Sequence, residues 1–160
     1  MNVLFEHADL MKMAIGEAAK GVDLHHGGPF GAIIVKEKKI IGRGHNKVIV
    51  SKDPTAHAEI VAIRSACETL DSFDLSSSVM YTTCYPCTMC LGAILWARIS
   101  KVYYCVTSTE AAITGFDDKK FYDIIEDMEY LKDLLIFDGK ESEECINLMQ
   151  YYKDALHEIY

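Results

Sequence analysis

The sequence predicts an α/β fold, a three-layer sandwich in which a mixed central sheet of about five strands is flanked by helices. Two observations predict it. Short apolar runs typical of strands alternate along the chain with longer segments of helical periodicity. The connections are short, and no repeat, low-complexity tract or Pro/Gly-rich linker interrupts the 160 residues. We therefore expect residues 1–160 to form a single domain around one hydrophobic core.

The predicted fold begins with a helix and a β-hairpin. Residues 5–19 have helical periodicity, and the side chains that share the apolar face are Leu4, Ala8, Met11, Ile15 and Ala18. A glycine-containing loop over 25–29 then leads into an apolar strand over 30–35. Because a short polar turn over 36–39 separates this strand from the next, over 40–44, the two are predicted to pair as a hairpin.

Helices and strands alternate in the next part of the chain. The predicted elements are a loop over 46–54, a helix over 56–70, a strand over 79–83, a helix over 86–97 and a strand over 101–106. Strands joined by helices through short connections predict parallel neighbours that the helices cover.

Beyond residue 109 the pattern predicts short helices, a strand over 134–137 and a final amphipathic helix. The apolar side of that last helix carries Cys145, Leu148, Met149, Tyr152, Leu156 and Ile159.

The net charge of −8 is concentrated at the C-terminal end. From Glu110 onward there are 14 acidic and 5 basic residues, whereas the first 109 residues carry 10 acidic and 11 basic ones. Nucleic-acid binding needs a basic footprint, so this distribution argues against a nucleic-acid partner. No apolar run approaches the roughly 18 residues of a membrane span. No signal peptide is visible at the start, and we expect a cytoplasmic protein.

Two short segments carry the chemistry, TAHAE over 55–59 and CYPCTMC over 84–90. Cys87 and Cys90 at C-x-x-C spacing can close on one ion, and His57 can supply a third ligand. Both segments lie at predicted helix N-termini, where the helix dipole favours thiolates. Three protein ligands leave one position of a tetrahedral site for water, which is typical of catalytic zinc. We therefore predict one Zn²⁺ per chain.

Glu59 follows His57 by two residues, and in the first turn of a helix both side chains can lean over the helix end. A carboxylate beside the metal is what hydrolysis of an amino group needs, because the metal acidifies water and the carboxylate takes its proton. The combination of His-x-Glu with Pro-Cys-x-x-Cys is the signature of zinc-dependent nucleobase deaminases.

Other interpretations of the cysteines are weaker. A structural zinc site would need a fourth ligand, which Cys84 could provide, and a redox C-x-x-C pair would not require the His-x-Glu segment. An iron–sulfur cluster needs a fourth thiolate that does not follow at ferredoxin spacing. We predict that Cys84 ends the strand behind the site. The remaining histidines lack ligand spacing and are predicted to lie on the surface: His7, His25, His26, His45 and His157.

Further segments complete a pattern along nearly the whole chain. They are GGPFGA over 27–32, Asn46, DPTAHAE over 53–59, AIR over 62–64, PCTMCLGAI over 86–94, WAR over 96–98 and GFDD over 115–118. With this pattern the sequence resembles the cytidine-deaminase-like superfamily, and within it most the small bacterial guanine deaminases. The first three segments and the cysteine segment are shared with tRNA adenosine and cytosine deaminases. GFDD and a C-terminal tyrosine, here Tyr160, are the discriminating features.

This resemblance implies roles for individual residues. Zinc would be held by His57, Cys87 and Cys90, with Glu59 and Asp118 as the catalytic residues. The substrate-binding residues that it implies are Phe30, Asn46, Ala58, Trp96, Asp118 and Tyr160. Phe30 would stack on the base, Asn46 would hydrogen-bond it, and Asp118 would contact its polar edge near the leaving amino group. Taken without the resemblance, these residues could be core, turn and helix-cap residues. Tyr85 departs from the family pattern, which has glutamate before the proline.

The implied reaction is hydrolysis of guanine to xanthine and ammonia. The resemblance also implies a homodimer, in which a C-terminal helix over 142–159 could exchange onto the partner, so that Tyr160 could act in either subunit's site. A tRNA adenosine deaminase is disfavoured by the acidic C-terminal third and by a tail after Val106 long enough to close a pocket over a free base. A deaminase of guanosine or another small amino-heterocycle, and a non-catalytic zinc-binding interaction domain, remain alternatives.

Overall fold

The computed structural model of the protein describes residues 7–126, residue 135 and residues 142–156, with residues 155 and 156 described by their backbone alone. Its contacts divide the chain into two compact units, Met1–Tyr122 and Asp123–Tyr160. The prediction of a single domain over 1–160 stays a prediction. The elements in chain order are α1 His7–Asp23, β1 Gly31–Lys36, β2 Lys39–His45, α2 Val48–Ser51, α3 Ala58–Leu70, β3 Val79–Cys84, α4 Thr88–Trp96, β4 Lys101–Val106, α5 Ser108–Ile113, α6 Lys119–Glu126 and α7 Glu143–Leu156.

The sheet is mixed, with the strand order β2-β1-β3-β4 in the described part of the chain. The predicted hairpin is confirmed, since β1 pairs antiparallel with β2, and β3 and β4 are the expected parallel neighbours. The prediction that β2 and β3 also lie side by side is wrong. The free edge of β1 pairs antiparallel with β3, so the connection through α3 crosses over a strand. The predicted fifth strand over 134–137 falls outside the described residues except for Leu135.

Helices cover both faces of the sheet, which confirms the three-layer α/β sandwich. On one face α1 packs against β1 and β3, where Leu10 and Ala14 contact Ile33 and Tyr81. On the other face α3 and α4 enclose a larger core, whose buried members include Ala32, Ile34, Ile41, Ala62, Ala66, Leu75, Met80, Ile94 and Ile99.

The helix α1 lies so close to β1 that the contact requires small residues. A Cβ atom added to Gly31 would lie 2.2 Å from the backbone oxygen of Ala14 and 2.4 Å from the backbone nitrogen of Ala18. The buried face of α1 consequently consists of Leu10, Ala14, Ala18 and Gly21. The predicted apolar face was wrong for Ala8 and Ile15, which are exposed. Hydrophobic periodicity selects the most apolar side of a helix, whereas the close approach of α1 to β1 selects the side with the smallest residues. The helix also continues to Asp23 instead of ending at residue 19.

The second unit contains the predicted C-terminal helix, α7. Its apolar side chains Ile146, Leu148 and Met149 are exposed, and the predicted helix end at Ile159 lies outside the described residues. None of the described helices combines the length and hydrophobicity needed to cross a membrane.

The close approach at Gly31 is testable. We expect Gly31→Ala to lower the free energy of unfolding by about 1–3 kcal/mol, since neither clashing atom belongs to a side chain that could rotate away. Gly16→Ala, on the exposed side of α1 with nothing within 4 Å of its added Cβ, should instead raise it by about 0.5–1 kcal/mol. Urea denaturation of both variants measures these values, and equal effects would contradict the described packing.

Candidate metal centre and adjoining cavity

Two helix N-termini bring the chemistry-bearing segments together, as predicted. His57 is the N-cap of α3 and Cys87 the N-cap of α4, both with extended backbone (φ −68°, ψ 158° and φ −65°, ψ 170°). Neither side chain forms the capping hydrogen bond that an N-cap residue often makes. Their donor atoms are therefore available to a ligand. Pro86 precedes the cap, so α4 begins slightly later than the predicted residue 86.

The three predicted ligands form one compact group. Nδ1 of His57 lies 3.6 Å from Sγ of Cys87 and 3.6 Å from Sγ of Cys90. Zinc bonds of about 2.3 Å to sulfur and about 2.05 Å to nitrogen, at the tetrahedral angle, require a nitrogen–sulfur separation of about 3.6 Å. The three donor atoms therefore fit zinc. Within the described residues, this is the group of histidine, cysteine and acidic side chains suited to holding a metal.

The side chains of this group differ in how readily each gives up its proton. The pKa of Cys87 is lowered to about 4, first because Cys90 donates a hydrogen bond to its sulfur and then because of His57. The hydrogen bond with Cys87 raises the pKa of His57 against the effect of burial. Zinc is bound by thiolates and a neutral imidazole, so metal binding needs no proton from the Cys87 thiolate but must displace the proton that this thiolate favours on His57.

Glu59 lies in the first turn of α3, only 5% exposed. Thr82 on β3, fully buried, donates a hydrogen bond from Oγ1 to Oε1 of Glu59 at 3.0 Å. The other oxygen, Oε2, lies 3.5 Å from Sγ of Cys90. Burial raises the pKa of Glu59, and the Thr82 hydroxyl acts in the opposite sense. The carboxylate is thus fixed beside the three ligand atoms without being one of them.

A cavity of about 400 Å³ opens onto this group. His57, Glu59 and Cys87 line this cavity, and so does Cys84 at the end of β3. The structure places Cys84 outside the three-ligand group, and burial raises the pKa of its thiol to about 11.

Three residues predicted to bind substrate line the same cavity, Phe30, Asn46 and Asp118. The Phe30 ring packs edge-on against Phe116 at 4.9 Å. The side-chain oxygen of Asn46 accepts hydrogen bonds from the backbone nitrogens of Gly28 (3.3 Å) and Val48 (3.1 Å), which fixes its amide plane. Oδ1 of Asp118 is buried and has no hydrogen-bond partner among the described residues. Burial, followed by the nearby Cys87 thiolate, raises the pKa of Asp118.

Two further residues predicted to bind substrate, Trp96 and Ala58, are not part of the described cavity lining. Trp96, at the end of α4, is 70% exposed and is not part of the lining. It ends the helix that Cys87 begins, so the whole length of α4 separates it from the ligand group. Ala58 is fully buried against the sheet in the first turn of α3. Tyr160 lies outside the described residues.

Sequence reasoning did not assign roles to several cavity residues. Val48 and Ile49 reach the cavity from the short helix α2, which was expected to be loop, and Phe116 lies inside the GFDD segment. Tyr85 also lines the cavity, with its ring edge-on to that of Tyr104 at 5.1 Å. Thr82 could have been found from the alternation along β3, since it shares the face of Met80.

The comparisons with known proteins agree with this geometry. Residues 5–106 match the family described as the cytidine and deoxycytidylate deaminase zinc-binding region. A guanine deaminase of Bacillus subtilis is 51% identical over 116 residues, which cover 72% of this chain and 74% of that protein.

A solved structure of guanine deaminase from Bacillus subtilis superposes with a TM-score of 0.88 at 40% identity, covering 98% of this chain and 99% of that one. A tRNA-specific adenosine deaminase of Haemophilus influenzae is less similar, at 37% identity over 73% of this chain and 66% of that protein.

The ligand assignment predicts the metal content of variants. The purified protein should hold about one zinc per chain, and Cys87→Ala and Cys90→Ala should each lose it, because two protein ligands do not retain the ion. Cys84→Ser is the matched control and should keep its zinc, as its sulfur lies outside the group. Mass-spectrometric metal analysis measures all three. Loss of zinc from Cys84→Ser as complete as from the other two would indicate a closed, structural site.

Proposed function

The chain belongs to the cytidine and deoxycytidylate deaminase family, and from this membership we propose that it is a zinc-dependent aminohydrolase that converts guanine to xanthine and ammonia. One observation carries the proposal furthest. Two of the metal-ligand residues, His57 and Cys87, line one cavity together with Glu59. Phe30, Asn46 and Asp118 line the same cavity. Its size suits one small, flat, polar-edged ring.

Zinc held by His57, Cys87 and Cys90 supplies a Lewis acid and an activated water molecule. Glu59 acts as the general base that accepts a proton at Oε2 and delivers it to the departing amino group. Thr82 holds Oε1, so the carboxylate meets the substrate in one orientation. Burial disfavours the charged form of Glu59 and so raises its pKa, which makes the carboxylate a stronger base towards the proton of the water molecule.

Three side chains bind and orient the base in this proposal. Phe30 offers a ring face for stacking. Asn46, whose oxygen is already occupied by two backbone donors, presents its amide nitrogen as a donor. Asp118 presents a carboxylate oxygen that has no partner in the described part of the chain and can accept from the N–H groups on guanine's polar edge. Adenine and cytosine present their donors in a different pattern.

A tRNA substrate has less support. The tRNA-specific relative is more distant than the guanine deaminase. Residues from Glu110 onward, which include the cavity residue Asp118, have a strongly acidic balance that would repel phosphate groups. Guanosine and other small amino-heterocycles stay alternatives, because Tyr85 gives this cavity a wall that the family pattern does not have.

We further propose that two chains associate and that Tyr160 closes a cavity, in its own subunit or in the partner. The exposed apolar side chains Ile146, Leu148 and Met149 on α7 support an association of this helix with another surface. A cytoplasmic location stays a prediction from the sequence.

Ammonia release tests the reaction. Assayed with guanine, guanosine, adenine, cytosine and tRNA, the protein should be most active on guanine. Glu59→Gln, which keeps the shape but cannot accept a proton, should retain zinc and lose about 10²–10⁴-fold in turnover. If ammonia were released only from tRNA, the substrate would be tRNA and not guanine. Full activity of Glu59→Gln would remove this residue from the mechanism, and no release from any compound would favour a non-catalytic zinc domain.

A comparison of Asp118 with its neighbour Asp117 distinguishes a role in substrate binding from a role in helix capping. Asp117 accepts a hydrogen bond at Oδ1 from the backbone nitrogen of Lys119 at 3.1 Å, so Asp117→Ala should lower stability by about 0.5–2 kcal/mol. We expect Asp117→Ala to keep most of its activity. Asp118→Ala should reduce kcat/KM for guanine by at least about tenfold, with a smaller effect on the melting temperature. The reverse pattern would make Asp118 a structural residue.

A further inference from the structure

Two histidines that were predicted to lie on the surface form a close pair beside the cavity. Nδ1 of His26 lies 2.9 Å from Nε2 of His45, and the rings stack at 5.1 Å with an interplanar angle of 26°. His45 is only 6% exposed. The prediction that both histidines are surface residues is therefore wrong for His45, because the last residue of β2 lies beneath α1.

The position of His45 is fixed from several sides. A Cβ atom added to Gly21 of α1 would lie 2.8 Å from the His45 ring, so the helix backbone rests directly on the imidazole. Oε2 of Glu17, also on α1, lies 3.7 Å from Nδ1 of His45, and Oε1 of Glu17 lies 3.5 Å from the guanidinium of Arg43. The ring can turn little without breaking these contacts.

The pair can hold one hydrogen between its facing nitrogens. The Glu17 carboxylate favours a hydrogen on Nδ1 of His45, which leaves Nε2 as the acceptor and makes Nδ1 of His26 the donor. A second proton, on Nε2 of His45, would set two N–H groups against each other and abolish the bond.

The His26 side of the pair is joined to the cavity wall through its backbone. The His26 carbonyl oxygen accepts hydrogen bonds from the backbone nitrogens of Ile49 and Val50, each at 3.1 Å. Ile49 lines the cavity. Asn46, which also lines it, follows His45 directly and accepts from Gly28 in the loop that carries His26.

We propose that His26 and His45 are positioning residues for this wall of the cavity, and that their single shared hydrogen bond holds Asn46 and Ile49 in place for the substrate. Acidification protonates the acceptor, separates the rings and loosens the wall, so that substrate binding weakens before the chemistry does. The kinetic part of this proposal rests on the proposed function.

The direction of the pH effect follows from the charges around His45. Burial lowers the pKa of His45, Lys47 and His26 lower it further, and Glu17 acts in the opposite sense. The unfolded chain, with the ordinary pKa of 6.5, therefore binds more protons than the folded one in acid. Stabilisation by the pair is present above that value and is lost as the pH falls below it.

Amide hydrogen exchange tests the coupling without any substrate. Protection factors at Ile49 and Val50 should fall by up to about tenfold between about pH 7.5 and about pH 5.5, which is the most that one group with an unfolded pKa of 6.5 can change the opening equilibrium over this interval. The glutamine of His45→Gln offers an amide to His26 and does not titrate. In this variant the protection factors at Ile49 and Val50 should therefore not change between the two pH values. If His45→Gln fails to fold, His26→Gln replaces the other, half-buried member of the pair and is expected to give the same result. The exposed His25 provides the control, since His25→Asn should behave like the unchanged protein.

No fall in the unchanged protein, or an equal fall in His45→Gln, would overturn the proposal. The kinetic test adds KM and kcat for guanine over the same pH range. KM should rise in acid by up to about tenfold in the unchanged protein but not in His45→Gln, while kcat differs little between them. An equal rise of KM in both would disconnect the pair from the substrate wall. If guanine is not the substrate, the exchange experiment still decides the positioning role.

Discussion

The candidate site depends on two helices that begin at the same place. His57 caps α3, and Cys87 caps α4, so the three donor atoms meet only if the first turns of both helices converge at the end of β3. An N-cap residue is fixed by the helix that follows it, and here neither side chain bonds back to that helix. Rigid elements therefore set the nitrogen–sulfur distances of 3.6 Å to values that suit zinc, and the loops need not do so.

The distance between α3 and the sheet is set by residues without bulky side chains. Cβ atoms added to Gly42 and Gly44 on β2 would each lie 2.4 Å from a backbone oxygen of α3. Helix and strand backbones thus almost touch, and this brings Glu59 of α3 within reach of the Thr82 hydroxyl on β3. A wider separation would leave the buried carboxylate without that donor, at a cost of about 1–3 kcal/mol or more for a charged group.

Asp118 adds a second polar feature to the cavity lining. Asp118 keeps a buried oxygen without a partner in the described part of the chain. In the absence of a ligand, such an unsatisfied acceptor lowers the stability of the fold by about 1–3 kcal/mol. A bound ring with N–H groups at that edge would satisfy it. The unsatisfied acceptor therefore favours ligands that donate there over ligands that do not, which is how a small pocket distinguishes bases of similar shape.

The sequence by itself determined which three side chains could hold a metal ion, that Glu59 lies beside them, and the order of the elements. Helix caps, C-x-x-C spacing and hydrophobic periodicity are local properties, so the sequence carries them without the fold. Tertiary structure decided the rest. The insertion of β1 between β2 and β3, the small-residue face of α1 and the exposed position of Trp96 follow from which surfaces pack together. Thr82, which holds Glu59, and His26, which pairs with His45, lie 23 and 19 residues from their partners. Spacing in a sequence does not measure contacts between elements, so only the folded chain could show that these side chains meet.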